Sequence, residues 1–366
     1  MDTNMQNTPK ITKESKNKIS VEFDRTPLKE RLKAKFLNLY FFQKIAWIIF
    51  RLVLLVGISY VVLFPFISKI AGSFMSPEDF VDVTVRLIPK NFTLDIYKAV
   101  LFELDYWEAF FNTLLISLLC GVLQTFVCCL IGYGLAKFRF KGNSIVMLLV
   151  ILTMIVPHQT LQLSMFMHFR YFDILGILSF LSGGASIGFM PDSVNELLAG
   201  IQLFKLDDFA IPLTNTYWPL AILSVTGLAF KNGLYIFMLR QFFTGVPDAL
   251  EESAYIDGSG VFRTFFTIIL PLSIPMMVTV FLFAFCWQWT DDFYTELYFT
   301  TSKIALMPDV VDIPQSLQTD YAGQNMYYTA IRNTCGICII MPLVILYSFG
   351  QKFLVQGIER SGLTAE

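Results

Sequence analysis

The chain has 366 residues, of which 55% are hydrophobic and 15% are charged, and its formal net charge is −2. Several apolar runs are longer than the ~18 to 20 residues that a helix needs to cross a bilayer, which excludes a soluble globular protein. The composition predicts an all-α integral membrane protein, and we expect neither a nucleic-acid partner nor a metal site.

Near-continuous apolar windows predict six membrane spans. They cover residues 45–70, 110–135, 144–169, 218–239, 265–287 and 334–353. The polar opening segment is far longer than the basic stretch of a secretory signal, so we expect a cytoplasmic N-terminus and no cleaved signal. Six spans would return the C-terminus to the cytoplasm. Most Lys and Arg residues fall in the segments that this topology places inside, which supports the orientation.

The predicted spans divide the chain into parts. These are a basic cytoplasmic segment (1–44), a six-span domain (45–353) and a cytoplasmic tail (354–366). Within the first part, the sequence 28–45 has apolar residues at helical spacing among lysines and arginines, which predicts an interfacial amphipathic helix. The spaced residues are Leu28, Leu32, Phe36 and Tyr40. Three outer loops, which indicate an external partner, are predicted at 71–108, 171–217 and 288–333.

The inner loop at 240–264, between the fourth and fifth spans, contains a polar stretch, LEESAYIDGSG. Pro247 suits the first turn of a helix, the acids that follow favour its positive N-terminal end, and Gly258 suits its end. We predict a helix of about three turns in which Leu250 and Ala254 share one face. Its apolar contacts would be Leu250, Tyr255 and Ile256. Such a helix can dock into a groove of a soluble protein, and the alternative is an ordinary connecting loop with acidic caps.

The spacing of this stretch resembles the EAA motif of permease subunits of binding-protein-dependent ABC importers. The matching series is Glu252, Ser253, Ala254, Gly258, Ile268, Leu270 and Pro271, with Ser253 where the motif usually has alanine. Other stretches look like the carbohydrate-importing branch that includes the second permease subunit of the maltose transporter. Examples are FFNTLLISLL, GYGLAKFRFKG, MIVPHQT, LTNTYWPLAI and FAFCWQWTDDF. The long N-terminus, an apparent insertion at 179–212 and the tail depart from the family pattern.

The resemblance implies a type I ABC importer permease with six transmembrane helices and a cytoplasmic coupling helix, in the plasma membrane of a bacterium. It implies a second permease subunit, either a different chain or a second copy, two ATPase subunits, an extracytoplasmic sugar-binding protein, membrane lipid and an oligosaccharide substrate. The residues that would couple to the ATPase are Leu250, Glu251, Glu252, Ser253, Ala254, Asp257 and Gly258. Glu252 would make a polar contact, Ala254 would allow close approach, and Asp257 with Gly258 would end the helix.

The sequence also bears on where ATP would be hydrolysed. It contains no Gly-Lys dipeptide and therefore lacks the phosphate-binding loop of P-loop ATPases. We expect this chain to be no enzyme and to bind no cofactor itself, with ATP and Mg²⁺ held by the partner ATPase.

Aromatic faces and amide groups bind sugars, so such residues within or beside the spans are candidates for the substrate pathway. They are Asn112, Gln124, Lys231, Asn232, Trp287, Gln288 and Trp289. The alternative is structural, because Trp also anchors helices at the membrane interface and Asn or Gln often bonds to a neighbouring helix. Lys231 falls inside the predicted fourth span, where a cation either faces a water-filled pathway or snorkels.

Two other classes of function are alternatives to the importer. An integral-membrane enzyme acting on lipid or glycan would use acids such as Asp291 and Asp292, but no convergent set accompanies them, and a helix cap is the simpler role for Asp291. A secondary transporter would need an ionisable relay, which the spans lack. We interpret His158 and His168 as structural. The six cysteines lie in or beside spans, so we expect no disulfides and a packing role for CGIC at 335–338.

Overall fold

The structure is a computed structural model that describes residues 39–172, 212–300, 304–320 and 323–360. Within these ranges the secondary structure is helical, apart from an isolated bridge between Met75 and Phe92. The helices are α1 (Leu39–Gly72), α2 (Asp95–Glu103), α3 (Tyr106–Lys137), α4 (Asn143–Ile155), α5 (Gln162–Arg170), α6 (Trp218–Thr226), α7 (Asn232–Thr244), α8 (Ala249–Ile256), α9 (Val261–Thr264), α10 (Leu270–Trp289), α11 (Phe293–Tyr298) and α12 (Gln324–Arg360). A π-helical turn, Phe265–Ile269, joins α9 to α10. The predicted all-α class is confirmed.

Some predictions fall outside the described residues. They concern most of the interfacial helix at 28–45, nearly all of the insertion at 179–212 and the end of the tail. Residues 39–45 are described, and they form the start of α1, which continues into the predicted first span.

The chain forms two compact units, residues 1–67 and 68–366, and the division falls inside α1. In the first unit, the side chains described from Phe42 onward are nearly all exposed, and most of them are apolar. An apolar surface all round a long helix suits a lipid environment.

Four helical segments of the described chain are long and apolar enough to cross a bilayer. They are Phe42–Gly72, Tyr106–Lys137, Val261–Trp289 and Gln324–Val355, and they cover the predicted first, second, fifth and sixth spans. The predicted third span is instead a pair of segments, Asn143–Ile155 and His158–Arg170, bent by 92°. Pro157 lies at the bend, where its ring removes a backbone donor and disfavours a helical conformation of the residue before it.

The predicted fourth span is also interrupted. Helix α6 ends at Thr226 and α7 begins at Asn232, because Gly227 and Lys231 both adopt left-handed backbone conformations, with φ of +75° and +69°. The residues at the break include Leu, Ala and Phe, so hydropathy alone does not reveal it. The described chain therefore contains four continuous candidate spans, or five if the bent pair counts as one, and the number six stays a prediction.

Helix α3 is central to the second unit, where it packs against α6, α7 and α10, while α10 also packs against α12. A Cβ added to Gly132 of α3 would lie 2.9 Å from Leu239 Cβ and 3.0 Å from Arg240 N, so α7 touches the backbone of α3. At the start of α7, a Cβ on Gly233 would lie 2.9 Å from Val150 O of α4. Small residues permit such close packing in membranes, and they hold α7 on two sides.

The six cysteines lie within the helices and are buried or half-buried. All six are free thiols. Cys335 and Cys338 are buried in a cluster with Tyr106 and Trp289 that joins α3, α10 and α12. Tyr106 Oη donates a hydrogen bond to Cys338 O at 3.0 Å. The CGIC sequence therefore packs helices together, as predicted.

Candidate functional site

The first candidate site is the loop that contains α8, which the predicted topology places on the inner side. The helix covers Ala249–Ile256, so it has eight residues and about two turns rather than the predicted three. It begins after Pro247, whose carbonyl accepts a hydrogen bond from Leu250 N at 3.2 Å. Gly258 follows its end with φ of +81°, and Ser259 N donates to Ala254 O at 2.9 Å. A left-handed glycine with such a bond is a common helix end.

The two faces of α8 differ from the prediction. Glu251 and Ala254 are buried, with 8% and 6% exposure, whereas Leu250 and Ile256 are 39% and 85% exposed. Leu250 and Ala254 are four residues apart and lie on one side of the helix, but Ala254 is buried and Leu250 is exposed. The small Ala254 therefore allows α8 to approach its own bundle, not an external partner. The exposed residues of the predicted coupling set are Leu250, Glu252, Ser253, Asp257 and Gly258, and the neighbouring Tyr255 and Ile256 are exposed as well.

A lysine that the sequence analysis did not select fixes this loop to the bundle. Lys137, the last residue of α3, donates from Nζ to Val246 O at 2.6 Å and to Asp248 Oδ1 at 2.5 Å. Its side chain is only 6% exposed, although it carries a charge. The hydrogen bond from Lys137 holds the pKa of the Asp248 carboxyl below its usual value. Lys137 lies in the stretch GYGLAKF, which resembles the family, so this resemblance could have identified the lysine as a candidate.

Glu251 faces the bundle without a complete set of partners. Burial raises the pKa of its carboxyl above the usual value, and the charge of Lys137 opposes that rise. Its Oε1 atom has no hydrogen-bond partner within the described ranges. We therefore interpret Glu251 as a structural residue of the loop, because its buried carboxyl is not exposed on the outward face of α8.

The second candidate site lies at the break between α6 and α7. Lys231 Nζ stands 4.4 Å from the ring centroid of Phe230 and 4.6 Å from that of Trp287, so its charge lies over two aromatic faces. The next residue, Asn232, is fully buried, and its side-chain amide has no partner among the described residues. Trp287 remains 48% exposed. The break therefore brings together three of the predicted pathway residues.

A cavity of about 1180 Å³ adjoins the break and is lined by residues of α4, α5, α6 and α7, including Lys231 and His158. His158 Nδ1 and Tyr294 Oη are 2.8 Å apart and share a hydrogen bond. That contact and the ring of Phe230 at 4.8 Å give His158 the structural role predicted for it. A partly open, mostly apolar space with a cation and aromatic rings on its wall can hold a ring-shaped ligand.

The other predicted pathway residues serve mainly to join elements. Trp289 is 1% exposed and donates from Nε1 to Ile339 O at 2.9 Å, so a sugar cannot reach its ring. Asn112 Nδ2 donates to Ala305 O at 3.1 Å and ties α3 to the outer segment. Trp289 therefore leaves the pathway set, whereas Asn112 is half-buried and stays a candidate. Gln124 is also buried and donates to Ser224 Oγ at 3.3 Å, but it lines a small cavity with Trp287 and Gln288 and stays a candidate.

Gln288 and Asp291 line a second, small cavity beside Trp287. Asp291 Oδ2 accepts a hydrogen bond from Tyr294 N at 3.1 Å, which is the helix-capping contact expected for it, here at α11. Burial raises the pKa of Asp291 to about 7. Gln288 is half-buried and stays a pathway candidate.

These features define a class of protein: a helical membrane protein with a polar interruption in a predicted span and a short helix that presents apolar residues outward. The chain belongs to the family described as binding-protein-dependent transport system inner membrane component, which it matches over residues 129–360. Family and helices together make it a multi-pass protein of the plasma membrane.

Individual relatives are similar along most of the chain. The polygalacturonan/rhamnogalacturonan transport system permease protein YtcP of Bacillus subtilis is 27% identical, with 80% of this chain and 89% of the relative covered. The maltodextrin transport system permease protein MalD of Streptococcus pneumoniae is 25% identical, with 84% and 92% covered. The arabinooligosaccharides transport system permease protein AraQ of Halalkalibacterium halodurans is 24% identical at the same coverage.

A solved structure has a similar fold. It is a chain of a bacterial ABC transporter involved in the import of the acidic polysaccharide alginate. The TM-score is 0.58 at 18% identity, and the similarity covers 85% of this chain and 97% of that chain. The fold is that of an ABC importer permease, as the sequence resemblance implied.

Proposed function

We propose that this chain is a permease subunit of an ATP-driven importer of oligosaccharides. The relatives support this proposal, because their names describe transport of polygalacturonan and rhamnogalacturonan, of arabinooligosaccharides and of maltodextrin. Chains of sugars are what these substrates share. An integral-membrane enzyme and a secondary transporter, the two alternatives from the sequence, find no support in these relatives.

In this proposal α8 is the coupling helix. Leu250, Tyr255 and Ile256 would enter a groove on an ATPase subunit, and Glu252 would make a polar contact at its rim. The observation that carries the proposal is that these apolar side chains are exposed on a helix that Lys137 fixes to the bundle. A helix fixed in this way would transmit a movement of the ATPase subunit to the spans. A flexible loop would change its own conformation instead.

The remaining parts would be supplied by other chains. Two ATPase subunits would hold ATP and Mg²⁺, a second permease would complete the pathway, and an extracytoplasmic binding protein would deliver the sugar. The N- and C-termini would lie in the cytoplasm. Within this chain the pathway would include Asn112, Gln124, Lys231, Asn232, Trp287 and Gln288.

A matched pair of substitutions tests the coupling role. Ile256 and Ile88 are 85% and 83% exposed, the first on α8 and the second in the predicted first outer loop. Ile256→Asp places a charge in the proposed groove, so we expect at least about a tenfold loss of ATPase subunit recovered with the tagged chain from membranes, and Ile88→Asp should leave recovery unchanged. Equal recovery with Ile256→Asp, or no ATPase with the unaltered chain, would refute the coupling proposal.

A further inference from the structure

The break between α6 and α7 carries a positive charge that no acid of the described chain neutralises. The ion pairs within the described ranges join Lys90 to Asp82, Lys98 to Asp95 and Lys137 to Asp248. Lys231 is half-buried and takes part in none of them. Asp291 lines the small cavity beside Trp287, but its carboxylate accepts from Tyr294 N instead. A cation within a span that lacks an acidic partner marks a functional position in membrane proteins.

The backbone at the break adds a second positive contribution to the electrostatic potential beside Lys231. Lys231 immediately precedes α7, a helix of 13 residues, so the positive dipole end of α7 lies beside the lysine. Asn232, the first residue of α7, contributes a buried amide with unused hydrogen-bonding capacity. Interrupted spans in transporters place helix N-termini of this kind against the anionic groups of their substrates.

The surroundings of Lys231 suit a sugar ring. Trp287 has an exposed aromatic face, Phe230 lies against both Trp287 and the lysine, and the adjoining cavity of about 1180 Å³ can accept more than one ring. Aromatic faces contact the C–H surfaces of sugars, while the ammonium and the helix end would bind a negatively charged substituent. A neutral sugar would leave the ammonium with the two aromatic faces and no opposite charge as it passed.

We propose that the substrate is an acidic oligosaccharide, one that carries uronate carboxylates, and that Lys231 with the start of α7 binds a carboxylate during translocation. This inference depends on the proposed function, since it names the substrate class of the same pathway. It assigns Lys231 the role of a specificity-determining residue and Trp287 that of the neighbouring stacking surface. Both neutral and acidic sugar chains occur among the relatives' substrates, and Lys231 favours the acidic kind.

The test uses the importer assembled from this chain, its ATPase, its sister permease and its binding protein in proteoliposomes. The probes are labelled oligogalacturonate, its methyl ester, which has the same sugars without the charge, and maltooligosaccharide of equal length. The unaltered importer should take up oligogalacturonate at least about tenfold faster than the ester, the ratio expected for one hydrogen bond to a charged group.

Substitutions separate the permease from the binding protein. Lys231→Met should lower oligogalacturonate uptake at least about tenfold, Lys231→Arg should restore most of it, and Lys98→Met, at an exposed lysine of α2, should leave it unchanged. Equal uptake of acid and ester by the unaltered importer, or full uptake with Lys231→Met, would overturn the inference. Import of maltooligosaccharide alone would overturn it and keep the proposed function, whereas failure to import any of the three would count against both.

Discussion

Replacing Lys137 by methionine should loosen α8 from the bundle, because it removes the ammonium that joins the end of α3 to the loop. The side chain of Lys137 is 6% exposed, and its bond to Val246 O lies where water cannot readily replace it. A hydrogen bond from a charged donor contributes about 1.5 to 3 kcal/mol. The carboxylate of Asp248 is 72% exposed and would stay hydrated without its partner, so we assign most of the effect to the bond with Val246.

The assay is hydrogen exchange of the backbone amides of α8. A loss of about 1.5 kcal/mol raises the population of the opened loop about tenfold, so exchange over residues 248–258 should become at least about tenfold faster in Lys137→Met. The reporting segment contains the whole of α8 and its glycine end. Exchange in α12 should not change, because that helix lies away from this contact.

Two further variants show which part of Lys137 matters. Lys141→Met removes the same charge from an exposed position four residues further along, and exchange of α8 should not change. Asp248→Asn keeps the bond from Lys137 to Val246 and should accelerate exchange less than about threefold, since an exposed ion pair contributes little. If Lys137→Met leaves exchange as it is, or Lys141→Met speeds it equally, the anchoring role of Lys137 is wrong.

Two other predictions concern stability, each measured by thermal unfolding in detergent against a matched variant. Gly132→Ala should lower the free energy of unfolding by about 1 to 3 kcal/mol, because the added Cβ would clash with Leu239. Gly336→Ala, whose Cβ would meet nothing within 4 Å, should raise it slightly. Equal effects of the two substitutions would contradict the tight contact at Gly132. Burial raises the pKa of Asp291 from 3.8 to about 7, so the folded state holds its proton more tightly, and this group's contribution to stability should fall as pH rises between these values. Asp291→Asn should remove that dependence and exposed Asp292→Asn should keep it; a pH profile unchanged by Asp291→Asn would refute the assignment.

The membrane spans were predictable where a single helix crosses the apolar window, as for residues 106–137 and 261–289. Hydropathy failed at the third and fourth spans because it measures side chains and not backbone conformation. Pro157 was visible in the sequence as a possible break, but Lys231 was not, since a left-handed conformation at a lysine depends on the packing around it. The pathway candidates Lys231, Asn232 and Trp287 were found by residue type alone.

The inner loop shows a second limit of sequence reasoning. Helical periodicity places Leu250, Glu251 and Ala254 on one side of α8, but it does not show which of them is covered. Which face turns inward is decided by α3, more than a hundred residues earlier, through Lys137 and its contact with Val246. A distant contact of this kind leaves no mark in the local pattern, which is why the buried Glu251 was assigned to the ATPase side.

Helix α7 connects the two candidate sites. It begins directly after Lys231 and ends directly before the loop of α8, so its 13 residues span about 20 Å between the proposed carboxylate site and the proposed coupling helix. Its glycine contacts with α3 and α4 make it move with them rather than bend alone. A force on α8 that Lys137 passes to α3 would therefore also carry α7, and with it the charge at Lys231. Coupling and substrate binding would then act on the same rigid group of helices, with no need for a relay of side chains between them.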